Sequence, residues 1–229
     1  MEITKLFNSG GIVMYPLFFA SIMVVTLAIE RLYFWFKIGR RQQPLIRTVL
    51  DLYQQQSLLV IDRLEREQDL PIARIFLSAI ALKDTTPEEF QLALESEAHQ
   101  ELPSLRRFNN IFDAVISLAP LLGLLGTIFG LIESFSALKI GTGGSNNIPA
   151  IAGIGMALIA TASGLVVAIV ASICANLFRR LYQRQLAQIQ ASTSQLELLH
   201  RRQWEDEKRV RRRDWQTEEL EELERSSIT

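Results

Sequence analysis

Two threonines, Thr127 and Thr161, are the side chains with the clearest capacity for chemistry, because each lies within a long uncharged apolar stretch. A threonine hydroxyl at membrane depth often bonds its own backbone, which favours a structural role for each one taken singly. Together, on helix faces lined by small residues, they are candidates for lining a polar path across a membrane. The sequence alone leaves both interpretations open.

Ionisable side chains are missing from the middle of these apolar stretches, where the sequence has no Asp, Glu, Lys, Arg or His. Proton relays within membranes normally use such a group, since a hydroxyl does not titrate near neutral pH. If the protein conducts protons, the titrating side chain therefore has to come from another chain.

Patterns typical of enzymes and metal sites are also missing. There is no HExxH, CxxC, P-loop or Gly-x-Ser-x-Gly pattern, and His99 and His200 stand isolated in polar segments, where we interpret them as surface residues. The single cysteine, Cys174, excludes an intrachain disulfide and is expected to be a small buried hydrophobe. We expect no enzyme, no metal and no cofactor, and the net charge of −1 gives no reason to expect a nucleic-acid partner.

Three apolar stretches are long enough to cross a bilayer, which takes roughly 20 residues of helix. The predicted transmembrane helices are 12–36, 111–138 and 148–178. Near the end of the first span, Glu30 and Arg31 are expected to snorkel toward the interface. The predicted fold class is an all-α integral membrane protein with three transmembrane helices and long cytoplasmic helical extensions.

Basic residues set the predicted orientation, because positive side chains are enriched on the cytoplasmic side of a membrane. They follow the first span, precede the second and follow the third, all on one side: Lys37, Arg40, Arg41, Arg47, Arg106, Arg107, Arg179, Arg180 and Arg184. We therefore expect the N-terminal segment 1–11 and the short outer loop 139–147 to be periplasmic. The helical region 37–110 and the C-terminal helix 179–229 are expected in the cytoplasm.

Helix signals are clear within the polar regions. Thr86, Pro87 and Glu89 provide an N-cap, a proline at the first helical position and a glutamate three residues after the cap. Pro103 is expected to bend or interrupt the helix that starts there, because proline removes a backbone donor and clashes with the preceding turn.

The C-terminal tail passes from a basic stretch, 201–213, into an acidic one, 218–224. We interpret it as a solvated helix. One alternative is a docking surface anchored by Trp204 and Trp215, which lie eleven residues apart and thus on one helix face. Binding of nucleic acid through the arginines is a second alternative, disfavoured by the interspersed carboxylates.

Small residues recur at helical spacing in the second and third spans. They are Gly123, Gly126 and Gly130 in the second, and Gly153, Ala157, Thr161, Gly164, Ala168, Ser172 and Ala175 in the third. Faces of this kind let helix backbones approach closely. They predict tight packing within the subunit, between subunits, or both.

Four segments resemble the ExbB/TolQ/MotA proton-channel family. ISLAPLLGLLGTIFGLIESF at 116–135, preceded by ELPSLRRF at 101–108, is similar to the family's second-span signature. IERL at 29–32 and GIGMALIATASGL at 153–165 agree with it in order and spacing. The resemblance covers roughly residues 12–180 and is nearest in pattern to ExbB-like biopolymer transport proteins.

The resemblance implies a homopentameric ring in the bacterial inner membrane. Five copies would surround two single-span subunits of the ExbD/TolR/MotB kind, whose membrane aspartate takes up and releases the ion. Such a motor uses the proton motive force to transduce energy, as in TonB-dependent import or envelope processes, with a TonB-like protein as a further partner. The resemblance also places Thr127 and Thr161 where such proteins have pore-facing threonines.

Two positions depart from the family pattern. Met156 stands where ExbB and TolQ proteins have the glutamate of a Gly-Ile-x-Glu-Ala-Leu pattern, and Val170 stands where a proline is usual. MotA-like relatives also work without that glutamate, so the motor interpretation is favoured. The alternative is a non-conducting membrane scaffold ring that has lost transport. The pair Ala160 and Thr161 resembles proton-driven members more than sodium-driven ones.

Overall fold

The computed structural model describes residues 11–82, 85–137 and 148–227, and every regular element in those ranges is an α-helix. The helices are α1 (Met14–Gln54), α2 (Leu59–Glu65), α3 (Pro71–Ile80), α4 (Pro87–Leu105), α5 (Asn109–Ala137) and α6 (Ile148–Ser227). The all-α fold class is confirmed for these residues.

Among the described residues, three helical stretches are long and apolar enough to cross a membrane. They lie in α1, α5 and α6, and most residues of their apolar windows are not buried within the chain. Such surfaces are suited to lipid or to other protein chains. The predicted limits of the spans stay predictions, and the predicted segments 1–11 and 139–147 lie almost entirely outside the described residues.

The chain divides into two compact units. The membrane unit consists of Met1–Trp35 and Arg106–Tyr182, and the polar unit consists of Phe36–Leu105 and Gln183–Thr229. Helices α1 and α6 each contribute one part to the membrane unit and the other part to the polar unit. The candidate site lies in the membrane unit.

Helix α3 is at the centre of the polar unit. It is short and apolar, and it packs against α4 and α2. Its side chains Ile72, Ile75 and Phe76 are fully buried, together with Phe90 of α4 and Leu64 of α2. Burying a large apolar side chain contributes roughly 1.5–3 kcal/mol, so this cluster stabilises the polar unit through α3.

The start of α4 has the predicted capping box. The backbone N–H of Glu89 donates to the Thr86 hydroxyl at 3.3 Å, and the Thr86 N–H donates to the Glu89 carboxylate at 2.9 Å. This bond from the backbone lowers the pKa of Glu89. The predicted interruption at Pro103 is not observed, because α4 continues through it to Leu105, and the predicted bend there stays a prediction. Phe108, in the turn between α4 and α5, has a φ of +69°.

Two side chains in the C-terminal part of α6, His200 and Trp204, are partly buried. His99 is exposed as expected, but His200 is half-buried and hydrogen-bonded, so its interpretation as a surface residue is wrong. Trp204 is half-buried, and the Lys208 ammonium lies 5.1 Å from the centre of its ring. The side chain of Trp215 lies outside the described part of the chain, so the proposed docking face stays a prediction.

Arg74 joins α3 to α4 through a two-bond ion pair. Its guanidinium donates two hydrogen bonds to the Glu101 carboxylate and a third to the backbone carbonyl of Gln68. The Glu101 side chain is only 12% exposed. Without Arg74, a mostly buried carboxylate would lack its partner.

We expect Arg74→Ala to lower the free energy of unfolding by about 1–3 kcal/mol, because a buried charged acceptor is left unsatisfied. Arg66→Ala is the matched control, since Arg66 is 71% exposed and its pair with Asp62 is of the surface kind, worth about 0.3–0.5 kcal/mol. Denaturant unfolding of the full chain in detergent, followed by circular dichroism, measures both. Equal losses would contradict the assignment.

Candidate ion pathway between two apolar helices

Helices α5 and α6 pack through glycines within the membrane unit. A β-carbon built on Gly130 would lie 2.6 Å from the carbonyl oxygen of Gly153 and 2.9 Å from the β-carbon of Ala157. One built on Gly164 would lie 2.5 Å from the carbonyl oxygen of Ala119. These distances are below van der Waals contact, so a larger residue at either position would push the helices apart.

The same contact continues along the two helices. A β-carbon on Gly123 would lie 3.1 Å from both the Ala160 carbonyl oxygen and the Thr161 Cα, and one on Gly126 would collide with the Ala160 side chain. Ala168, further along α6, is 8% exposed. The predicted glycines and alanines of both spans are thus buried, whereas Thr161 and Ser172 are half-buried.

The Thr161 hydroxyl lies at this contact. Its Oγ1 donates to the backbone carbonyl of Gly123 at 3.2 Å, which joins α6 to α5. The Thr127 hydroxyl instead donates within its own helix, to the carbonyl of Leu124 at 2.6 Å. A hydroxyl has one donor and two lone pairs, so each oxygen keeps the capacity to accept a hydrogen bond from a further group. The pore-lining role of both threonines stays a prediction.

Met156 packs against the beginning of the described chain. Gly11 has a φ of +70°, and a β-carbon built there would lie 3.0 Å from both Sδ and Cε of Met156. The thioether therefore fills an apolar contact beside α1. A carboxylate at this position would lose hydration where it faces Gly11, which is unfavourable unless a partner group binds the carboxylate.

Charged groups lie at the ends of the apolar stretches. Asp113 and Arg179 form an ion pair, and both side chains are about half exposed. Between Asp113 and Glu133 the sequence has no charged residue. No group of three or more His, Cys, Asp or Glu in the described part of the chain could hold a metal ion. The site offers hydroxyl acceptors and close helix contacts, and it lacks a titrating side chain of its own.

A comparison with known families identifies the family of this chain. Residues 67–191, more than half of the chain, match the family model described as the MotA/TolQ/ExbB proton channel family. The chain belongs to the MotA/TolQ/ExbB proton channel family. The matched range includes all of α5 and the apolar part of α6, and so both threonines. The resemblance seen in the sequence is confirmed, and the family member is a membrane protein with transmembrane helices.

Individual relatives extend the likeness beyond the family match. ExbB-like 3 of Synechocystis sp., named as a biopolymer transport protein, is 50% identical over 195 residues, 85% of this chain and 93% of the relative. ExbB-like 1 of the same organism is 40% identical over 200 residues, 86% of this chain and 79% of the relative. An ExbB homolog of Methanothermobacter thermautotrophicus is 30% identical over 171 residues, 73% of this chain and 60% of that protein.

One residue of this MotA/TolQ/ExbB family member was misplaced by sequence reasoning. Arg31 is 3% exposed; its guanidinium donates to the backbone carbonyl of Arg107 and lies 5.1 Å and 5.3 Å from the ring centres of Phe108 and Phe34. Snorkelling is therefore the wrong description for Arg31, whereas the Glu30 side chain is 52% exposed. The arginine connects the end of the first apolar stretch to the start of α5.

Proposed function

We propose that this chain is the ring-forming subunit of an ion-driven motor in the bacterial inner membrane, powered by the proton motive force. Five copies surround two copies of a single-span ExbD/TolR/MotB-like subunit, which receives the energy. The motor then serves TonB-dependent import, with a TonB-like partner, or another envelope process. Membership of a proton channel family supports a membrane energy-transduction subunit and an absence of enzymatic activity.

The observation that carries this proposal is the position of Thr161. Its hydroxyl lies at the contact of two apolar helices, bonded to Gly123, in a region of the sequence without a carboxylate. An acceptor oxygen without a titrating neighbour suits a protonated carboxylic acid brought by another chain. A membrane aspartate on a single-span partner provides that group. Thr127, one helical turn along α5 from Gly123, provides the second hydroxyl of the ion path.

The apolar surface of the membrane unit supports a ring. Many large side chains of α5 and α6 remain exposed on a single chain, including Leu121, Leu124, Ile128, Ile132, Leu158, Ile169 and Ile173. Lipid covers part of such a surface, and neighbouring copies cover the rest. Because membrane helices associate mainly through packing, the large side chains complement the glycine contact that holds each copy together.

The orientation is proposed from the distribution of charge. The basic clusters beside the spans support a cytoplasmic polar unit and C-terminus and a periplasmic N-terminus. We also propose the domain limits predicted from the sequence, with each segment on the side of the membrane that this orientation gives it. The ion would accordingly enter on the side of the loop 139–147 and leave on the side of the polar unit.

A scaffold ring without transport is the second candidate function. It is favoured by Met156, which makes an apolar contact with Gly11 at the position where the resemblance implies a glutamate in typical ExbB and TolQ proteins. A scaffold would tolerate both Thr127→Val and Thr161→Val, since neither hydroxyl would have an ion to serve. The motor would not.

Native mass spectrometry of the tagged chain, purified gently from its own membranes, tests the proposal. Five copies with two small single-span proteins are expected. Sequencing of those small proteins should then reveal an aspartate early in the span. A ring that contains no partner, under conditions that preserve related complexes, would favour the scaffold, because this chain alone has no carboxylate in the middle of a span with which to carry a proton.

A further inference from the structure

His200 joins three helices of the polar unit. Its Nδ1 lies 2.8 Å from the Tyr53 hydroxyl, near the end of α1, and its Nε2 lies 3.2 Å from the carbonyl oxygen of Thr85, ahead of α4. Its ring stacks on Phe90 of α4, with the ring centres 4.0 Å apart and the planes at 11°. We call these four residues the His200 cluster.

The two hydrogen bonds define the protonation state of the ring. A carbonyl oxygen only accepts, so Nε2 of His200 must carry a proton and donate to Thr85. In the neutral ring Nδ1 is then unprotonated, and it accepts a hydrogen bond from the Tyr53 hydroxyl. The neutral imidazole therefore satisfies both neighbours at once.

Protonation would disturb this arrangement. With a proton on Nδ1 as well, the Tyr53 oxygen would have to accept instead of donate, and its own hydrogen would need a new acceptor in a partly buried place. Burial raises the pKa of Tyr53 to about 12, with the charge of Glu207 as a smaller cause. The phenol therefore stays protonated, and no phenolate forms that could stabilise an imidazolium.

The surroundings of the ring favour its neutral form. Burial lowers the pKa of His200 below its ordinary value, while the bond to the Thr85 carbonyl and the charge of Glu207 act in the opposite direction. From α1 the ring faces Tyr53, and from α4 it faces the uncharged Phe90; Glu207 is on α6 itself. Lys83 and Asp84 lie outside the described residues.

We propose that His200 is a pH-sensitive latch of the polar unit: the neutral ring joins the end of α1 to the segment leading into α4, and protonation below neutral pH releases this connection. Gln203, one turn further along α6, donates from its side-chain amide to the Tyr53 carbonyl at 2.9 Å. It holds the same end of α1 without titrating, so the release is confined to the His200 cluster.

The direction of the pH effect follows from linkage. The folded ring binds its proton less readily than the ring of an unfolded chain, so the unfolded state holds more protons in the window just below about pH 6.5. The stabilisation is complete above that window and is lost as the pH falls through it. In the proposed orientation, the latch would lie on the side that receives protons, but its behaviour does not depend on ion transport.

The first test is a titration of the full chain in detergent with isotope-labelled histidine. The chain has two histidines, so in the variant His99→Gln every labelled histidine signal comes from His200. The ring of His200 is expected to titrate below about pH 6.5, with the Nε2-protonated tautomer above the transition. A transition at or above pH 6.5, or the Nδ1-protonated tautomer above the transition, would overturn the proposal. This test requires no substitution of His200.

The second test measures release of the latch by hydrogen exchange of the full chain at pH 7.5 and pH 5.5, corrected for intrinsic chemical rates. Peptides around Tyr53 and Thr85 should lose protection several-fold at the lower pH, and peptides of α3 should not. In His200→Gln, and in His200→Phe, which keeps the stack on Phe90, the pH dependence should disappear. A wild-type response equal to that of both variants would contradict the latch.

Discussion

Gly130→Ala is expected to lower the free energy of unfolding of the membrane unit by about 1–3 kcal/mol, or to prevent its folding, because the added methyl group overpacks a close helix contact. The atoms that it would meet are the carbonyl oxygen of Gly153, at 2.6 Å, and the β-carbon of Ala157, at 2.9 Å. Neither is the far end of a flexible side chain. Helices α5 and α6 would have to separate, and this would also displace Thr161.

Gly155→Ala is the matched control, since it makes the same chemical change on α6 where no atom lies within 4 Å of the new carbon. It should be neutral or slightly stabilising, because alanine is the better helix former. Thermal unfolding of both full-length variants in detergent, together with the yield of folded protein, provides the comparison. Equal melting temperatures for the two variants would show that the α5–α6 contact is looser than described.

Thr161→Val should reduce ion flux at least about tenfold while the complex still assembles, because the change removes the hydroxyl and keeps the volume. A hydrogen bond between membrane helices is worth only about 0.6 kcal/mol on average, so losing the bond to Gly123 should cost little stability. Flux is measured with a pH-sensitive dye in proteoliposomes that contain the chain and its co-purified partner. Thr161→Ser, which keeps the oxygen, should retain most of the flux.

Thr26→Val is the control for this second experiment, since Thr26 lies on an exposed face of α1 and loses the same atom. Flux as high in Thr161→Val as in Thr26→Val would remove Thr161 from the ion path. Loss of the oligomer in Thr161→Val would indicate that its hydroxyl acts in packing.

The sequence was sufficient for the features that depend on local pattern. Uncharged stretches of bilayer length, the capping box at Thr86 and the glycine spacing around Gly126 all follow from neighbours a few residues apart. The family match then confirmed the family resemblance that the motifs of the second and third spans indicated. The role of Thr127 and Thr161 could be predicted as a candidate only, because a hydroxyl bonded to its own helix and one facing a pore have the same local sequence.

What sequence reasoning missed depends on distant partners. Arg31 looked like a snorkelling cation because its carbonyl partner, Arg107, is 76 residues away. His200 looked like a surface residue because Tyr53 is 147 residues away and its own neighbours are polar. In both cases, a charged or titratable side chain is covered, fully or in part, by groups that the local pattern does not contain.

Phe108 has a consequence for how the family can diverge. A bulky residue with a positive φ costs of order 1–3 kcal/mol, a cost that glycine would avoid. Here the guanidinium groups of Arg31 and Arg107 lie 5.1 Å and 4.7 Å from the ring centre, and a cation–π contact contributes about 0.5–2 kcal/mol. Selection should therefore act on the two positions jointly: lineages in which Arg31 is replaced by an uncharged residue should be enriched in glycine or asparagine at the position of Phe108. Aligned relatives would test this covariation, and independent variation at the two positions would argue against it.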